Sequence, residues 1–234
     1  MDLKQGITIV KNAILTSPSC ISSFFNKKLL GFVSEKGYVF YEGLNEDTPI
    51  ILIHGRNGNV VDFEPLIGNL SNHGWLQPIY GITMGDNALM SVKAEAEIVN
   101  SIINGIGCTQ CDIIGHSKGG IVAHYLDVMI EKKYKIRKII SAVSPHLGSP
   151  LANIVGGQVA DDLGTNGSMV EILKPYHTKE NYYYVGNVMD HIVSDKSAIP
   201  EDVPKERFLR VNSYLGHALL PSIELADKIS EWLL

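Results

Sequence analysis

The run Gly115-His116-Ser117-Lys118-Gly119-Gly120 sets a serine between two glycines in a Gly-x-Ser-x-Gly pattern. Chance produces such pentapeptides, so the setting decides what this one means. Here the apolar run Asp112-Ile113-Ile114 precedes the motif and a long helical pattern follows it, the context of a sharp strand-to-helix turn. A serine held there with strained dihedrals needs neighbours without bulk, which Gly115 and Gly119 supply, while Gly120 lets the helix pack closely on a sheet. The turn also puts Ser117 at a helix N-terminus, where the dipole favours developing negative charge. These features point to a nucleophile; the plainer reading is a serine that only caps the helix. A hydroxyl is a poor nucleophile near neutral pH, so an imidazole must take its proton and a carboxylate must fix that imidazole's tautomer. An oxyanion also needs two preorganised backbone N–H groups, of which the residue after the nucleophile, Lys118, supplies one.

The elements that would position these groups alternate along the chain. After residues 1–29, which lack a clear period and contain Pro18, a hairpin is expected from 30–34, a turn at 35–37 and 38–42. Ile50-Ile51-Leu52-Ile53 is a continuous apolar run, as suits a strand buried on both faces. Helix over 62–72, strand over 78–84, helix over 91–106, strand over 111–115, helix over 118–133 and strand over 136–143 then follow. In the second of these helices Val92, Ala96, Val99, Ile102, Ile103 and Ile106 share one face at helical spacing. The alternation pauses over 145–180, which has no firm period, and resumes with strands at 182–188 and 208–211. A closing helix over 221–234 should bury Ile223, Ala226, Ile229 and Leu233. Strands separated by helices imply a mostly parallel sheet covered on both faces, within one domain spanning 1–234.

Composition narrows the partners. A formal charge of −5 and 19% charged residues leave no basic stripe for a nucleic acid backbone. Cys20, Cys108 and Cys111 are too few and too uneven for a disulfide framework. Cys108-Thr109-Gln110-Cys111 has redox or half-zinc spacing but lacks a second pair, and buried free cysteine usually serves as a small hydrophobe. The N-terminus makes a poor secretory signal, and no run of about 18 apolar residues is present to span a membrane, so a cytoplasmic protein is expected. Ile21, Phe24, Phe25, Leu29 and Leu30 either pack on the body of the domain or make peripheral contact with a membrane surface.

The second oxyanion donor must come from another loop, and His54-Gly55-Arg56-Asn57-Gly58 directly follows the first expected parallel strand. At this point the chain resembles the α/β-hydrolase superfamily, and the bacterial lipases and esterases in particular, whose His-Gly motif occupies this place. The resemblance runs from about residue 38 to the C-terminus and includes Ser144-Pro145-His146-Leu147-Gly148-Ser149-Pro150, similar to the Pro-His-x-Gly-Ser segment after the sixth strand of lipases. It implies an α/β-hydrolase fold with a small cap or lid over about 145–180. It also implies that the Arg56 N–H is the second donor, that His54 with Gly55 supports the loop, and that His116 and His146 help to shape the site.

The family's chain order is serine, then acid, then histidine. His217, in Leu215-Gly216-His217-Ala218 between the last strand and the closing helix, lies where the resembling enzymes carry the base. Asp190, in a stretch resembling the family's Asp-x-Ile-Val turn, is the favoured acid; Asp195 is the competitor, unless it caps the helix that begins near Lys196. His73 and His124 have no constellation around them, and His177 and His191 precede the last strand. The activity implied is cleavage of small-molecule or lipid esters without a metal or other cofactor. A thioesterase or acyltransferase on the same triad, or a non-catalytic receptor with the same fold, remains open. In the 145–180 segment, Ile154, Val155, Val159, Met169, Val170, Ile172 and Leu173 either face lipid or pack as core.

Overall fold

The computed structural model of the protein describes residues 38–41, 48–75, 77–84 and 90–234. Seven strands form one sheet: β1 (Tyr38–Tyr41), β2 (Ile50–Ile53), β3 (Ile79–Ile82), β4 (Gln110–His116), β5 (Lys135–Ala142), β6 (Tyr182–Asn187) and β7 (Phe208–Val211). Their order is β1-β3-β2-β4-β5-β6-β7; β1 runs antiparallel to β3, and the other six strands are parallel. β1 therefore finds a partner in β3, whereas the 30–34 arm of the expected hairpin lies outside the described residues. So do the apolar residues 21–30 considered for membrane contact.

The central strands β2 and β4 are buried on both faces, which is why they read as continuous apolar runs. Ile51 and Ile53 of β2 join one core with Ile113, Val99 and Ile121, and Ile50 and Leu52 join the other with Leu66, Ile140 and Ile229. The first face is covered by α2 (Val92–Ile106) and α3 (Lys118–Met129), the second by α1 (Glu64–Asn72) and α8 (Ile223–Leu233). α2 starts at Ser91, whose hydroxyl accepts from the Ala94 N–H at 3.2 Å, and ends at Gly107 with φ 80, a left-handed cap. No helix among the described residues is long and apolar enough to cross a membrane.

Two local expectations change. Ser222 caps α8, so the helix begins after Pro221; Ile223 is then 67% exposed, and Leu225, Ala226, Ile229, Trp232 and Leu233 form the buried stripe. The stretch between β5 and β6, which lacks a readable period, holds three short helices: α4 (Pro150–Val155), α5 (Gly157–Leu163) and α6 (Ser168–Leu173). Its apolar residues divide between the two roles. Val159, Met169 and Leu173 are buried, while Ile154 is 81% and Val155 46% exposed. α7 (Asp195–Ala198) follows β6.

The topology fixes where a site can form. From β2 the chain crosses to β3 on one side, and from β4 it crosses to β5 on the other, so the loops leaving β2 and β4 diverge and open a crevice at the strands' carboxyl ends. Those loops carry Gly55-Arg56 and Ser117.

Candidate active site

Ser117 links β4 to α3 with φ 54 and ψ −124, a conformation that costs a side chain-bearing residue strain. Its N–H bonds to the Ala142 carbonyl at 2.9 Å, which anchors the turn to the neighbouring strand. The flanking glycines make the turn possible by close approach. A Cβ on Gly119 would lie 2.1 Å from the Ile53 carbonyl oxygen, and one on Gly115 would lie 2.5 Å from the backbone of Gly120.

His217 lies in the loop between β7 and α8. Its Nδ1 donates to Asp190 Oδ2 at 2.7 Å, leaving Nε2 to accept from the Ser117 hydroxyl at 2.8 Å. Asp190, just after β6, is buried, and its Oδ1 accepts from the N–H groups of Ile192 (2.8 Å) and Val193 (3.0 Å). Burial works to raise this carboxyl's pKa. The hydrogen bond from His217 and the two N–H groups outweigh it and hold the pKa below the usual carboxylate value. Asp195 does not reach His217: it pairs with Arg210 at 2.8 Å as the first residue of α7, while Ser194 caps that helix.

Two side chains set the histidine loop in place. Buried Asn187 donates to the carbonyls of Ser213 (2.9 Å) and Gly216 (2.8 Å) and accepts from the Ser213 N–H (3.0 Å), tying the end of β6 to the loop carrying His217. His116 Nε2 donates to the His217 carbonyl at 2.8 Å, and burial lowers the His116 pKa to about 4, which keeps the ring neutral.

On the other side of Ser117, the Met84 N–H donates to His54 Nε2 at 3.2 Å, and His54 Nδ1 donates to the Gly55 carbonyl at 2.8 Å. This ring thus spans the loops after β2 and β3, and burial holds its pKa below the ordinary value. A Cβ on Gly55 would stand 2.8 Å from Ser117 Cβ, so only glycine lets the two loops meet this closely. Asn57 has φ 55, a second strained position in this turn. Arg56, Ser117, Lys118 and His217 line a pocket of about 190 Å³. Its far wall is apolar and comes from Leu151, Ala152 and Val155 of α4, Val159 and Leu163 of α5, and Ile192-Val193. Lys118 is the first residue of α3, on the side to which a helix directs its N–H groups.

Several contributors escape a reading by motif. The Lys118 side chain turns inward, 2% exposed, to the Met90 carbonyl (2.6 Å) and the carboxylate of wholly buried Glu95 (2.7 Å). Burial pushes the Glu95 carboxyl up to about 7 against the pull of Lys118. Asp162 of α5 accepts from the Val92 N–H at 2.7 Å and so fastens the inserted helices to the start of α2. Glu95 falls on the apolar stripe of α2 beside Val92, Ala96 and Val99, and a charge in that stripe was the available signal. Val143, with φ 47, carries strain that no residue type announces. His146 lies apart from Ser117, His217 and Asp190: its ring neighbours are His124, His177 and Tyr184, and both its ring nitrogens are buried without a hydrogen-bond partner among the described residues. Among the described residues no group of three or more histidine, cysteine or carboxylate side chains could hold a metal ion.

Comparison with known proteins is consistent with this architecture. Residues 72–165 match a family described as the PGAP1-like alpha/beta domain. Triacylglycerol lipases from Pseudarthrobacter phenanthrenivorans and Burkholderia plantarii are each 27% identical over 116 residues, 46% of this chain and 36% and 32% of theirs. The aligned stretch thus spans about a third of each of those lipases. Among solved structures, the mature form of a Bacillus licheniformis lipase superposes with a TM-score of 0.61 at 16% identity, covering 86% of this chain and 98% of that one. A monoacylglycerol lipase from Paleococcus ferrophilus gives 0.58 at 16% identity, with coverages of 84% and 97%. The chain has the α/β-hydrolase fold.

Proposed function

We propose that the protein is a serine hydrolase of carboxylic esters, of the lipase and esterase kind. The observation that carries this reading is the unbroken hydrogen-bond chain from Ser117 through His217 to Asp190 at the mouth of a mostly apolar pocket. Ser117 attacks the ester carbonyl as His217 takes its proton, and Asp190 holds the imidazole in the required tautomer. The N–H groups of Arg56 and Lys118 stabilise the tetrahedral oxyanion. His217 then protonates the departing alcohol, and water, activated by the same imidazole, releases the acid and regenerates Ser117. The apolar wall of α4 and α5 receives the acyl chain. Exposed Leu151, Val155 and Ile192, which line the pocket, favour a lipid ester over a polar one.

The test is labelling by a fluorophosphonate in the wild type and Ser117→Ala, together with hydrolysis of nitrophenyl esters of graded chain length. Labelling and turnover in the wild type alone are expected. Equal labelling of both proteins would remove Ser117 from the mechanism. Acyl-coenzyme A and added alcohol, run beside the oxygen esters, separate a hydrolase from a thioesterase or acyltransferase.

A further inference from the structure

Ester hydrolysis as proposed uses only the backbone N–H of Arg56, which any residue except proline could supply. The side chain is left unexplained, and Arg56 is one of the residues that line the reaction pocket. Arg137 pairs with Asp112 at 2.6 Å, Arg210 pairs with Asp195 at 2.8 Å, and Arg207 donates to the Thr178 carbonyl at 3.1 Å. Arg56 differs from these three. Its Nε is buried with no hydrogen-bond partner, and no ion pair joins its guanidinium to a carboxylate of the described residues. Removing a guanidinium N–H from water without an acceptor is costly, so such a group in a native fold calls for a reason.

Among the described residues, the pocket around it supplies no counter-charge. None of its lining residues is acidic, and the nearby carboxylate of Asp190 is engaged by His217, Ile192 and Val193. The other cation in the lining, Lys118, turns its ammonium to Glu95 at 2.7 Å. Nor does the whole molecule attract anions, since its formal charge is −5. The attraction is local. Arg56 lines the pocket together with the aliphatic residues Leu151, Val155, Val159 and Leu163.

Resting on the ester-hydrolase reading, we propose that Arg56 is a specificity-determining residue that binds an anionic group on the alcohol side of the substrate. The favoured substrates are then acyl esters carrying a phosphate or carboxylate within one arginine side-chain length of the scissile carbonyl. A planar guanidinium suits either anion, because both present two oxygens to its fork of donors. The acyl chain takes the apolar wall, and the anion pairs with the guanidinium that no carboxylate of the described residues engages.

Three esters with the same acyl group test this: monobutyrylglycerol, its phosphate, and butyrylglycerate. The readout is the ratio of kcat/KM for an anionic over the neutral ester within each protein, so any general loss of rate in a variant cancels. The wild type should favour at least one anionic ester by about ten- to a hundredfold, as charge-assisted hydrogen bonds allow. Arg56→Met should bring the ratio to about one or below, and Arg56→Lys should restore part of it. Phosphate above carboxylate would assign the anion as phosphate, and the reverse order as carboxylate. If Arg56→Met fails to fold, the wild type alone still decides, because its preference should shrink as ionic strength rises. A wild-type ratio of one overturns the inference, as does a ratio that survives Arg56→Met. Fluorophosphonate labelling and cleavage of the neutral ester without preference would defeat this inference and leave the hydrolase reading standing. No labelling and no cleavage of any ester would defeat both.

Discussion

The molecule holds histidines in two contrasting settings. His217, in the loop before α8, has a partner at each ring nitrogen: Asp190 at Nδ1 and Ser117 at Nε2. Between α3 and the end of the inserted helices, His124, His146 and His177 pack edge-on or tilted against one another and against Tyr182 and Tyr184, and four of their buried ring nitrogens have no partner among the described residues. Burial lowers the pKa of all three, to about 4 for His177 and well below the ordinary value for His124 and His146. An imidazole does acid–base work only where a neighbour stabilises the proton it gains. Residue type is shared by the two settings; among the described residues a carboxylate partner is found only in the first, while in the second His124 Nε2 meets the Ser141 hydroxyl at 3.1 Å.

The largest effects should come from removing the partnered set. Ser117→Ala or His217→Ala should lower kcat for a nitrophenyl ester by about four to six orders of magnitude, since triad members act as one unit. Thermal midpoints should barely move, because neither side chain belongs to either apolar core. A loss under tenfold in His217→Ala, measured against active-site titration, would mean that this imidazole is not the base.

Next in size is the carboxylate. Asp190→Asn leaves a hydrogen-bonding side chain in place but favours the wrong imidazole tautomer, so kcat should fall by about three to four orders of magnitude. Asp195→Asn removes only the partly exposed pair with Arg210 and should change kcat less than about threefold. Equal losses in both variants would erase the distinction drawn from the 2.7 Å contact.

That distinction shows what chain order can and cannot give. The alternation of strand and helix was legible because burial on both faces leaves runs such as residues 50–53 wholly apolar, and because α2 is long enough to display its period. Helices α4, α5 and α6, at six or seven residues, complete too few turns to reveal one. Local pattern marked Ser117 through its glycines and offered both Asp190 and Asp195. Only the tertiary course of two loops, pinned together by Asn187, brings one carboxylate to the imidazole. The Lys118–Glu95 pair and the cluster of three histidines are assembled from distant segments, and their contacts exist only in the fold.

The desolvated histidines should declare themselves through pH. An unfolded histidine takes its proton near 6.5, whereas His177 does so only at about 4. Between those values the unfolded chain binds more protons, so this stabilisation is complete above about pH 6.5 and declines as pH falls toward 4. His177 alone should contribute on the order of 3 kcal/mol of that loss. Lys174 and Lys179 face the cluster and add to it, while Glu95, whose pKa is raised, works in the opposite sense between about 7 and 4.5. The histidine part is therefore read as a difference. Urea midpoints from pH 7 to 4.5 should decline less steeply in His177→Gln than in the wild type, and parallel declines would show that His177 is not held neutral.

The smallest expected effect is the most pointed test of the contrast. Both nitrogens of His146 are desolvated without return, so an apolar ring of similar shape forfeits no hydrogen bond. Phenylalanine is slightly larger, and the contacts with His124 at 4.5 Å and Tyr184 at 4.8 Å between ring centroids leave little slack. The two terms oppose each other, so His146→Phe should alter stability by no more than about 1 kcal/mol in either direction and leave ester turnover within about threefold. A loss above about 3 kcal/mol would mean that a ring nitrogen has a partner, such as a buried water, whose bond the variant breaks. A fall in kcat beyond tenfold at an unchanged urea midpoint would instead join His146 to the reacting groups, and the two settings would no longer be distinct.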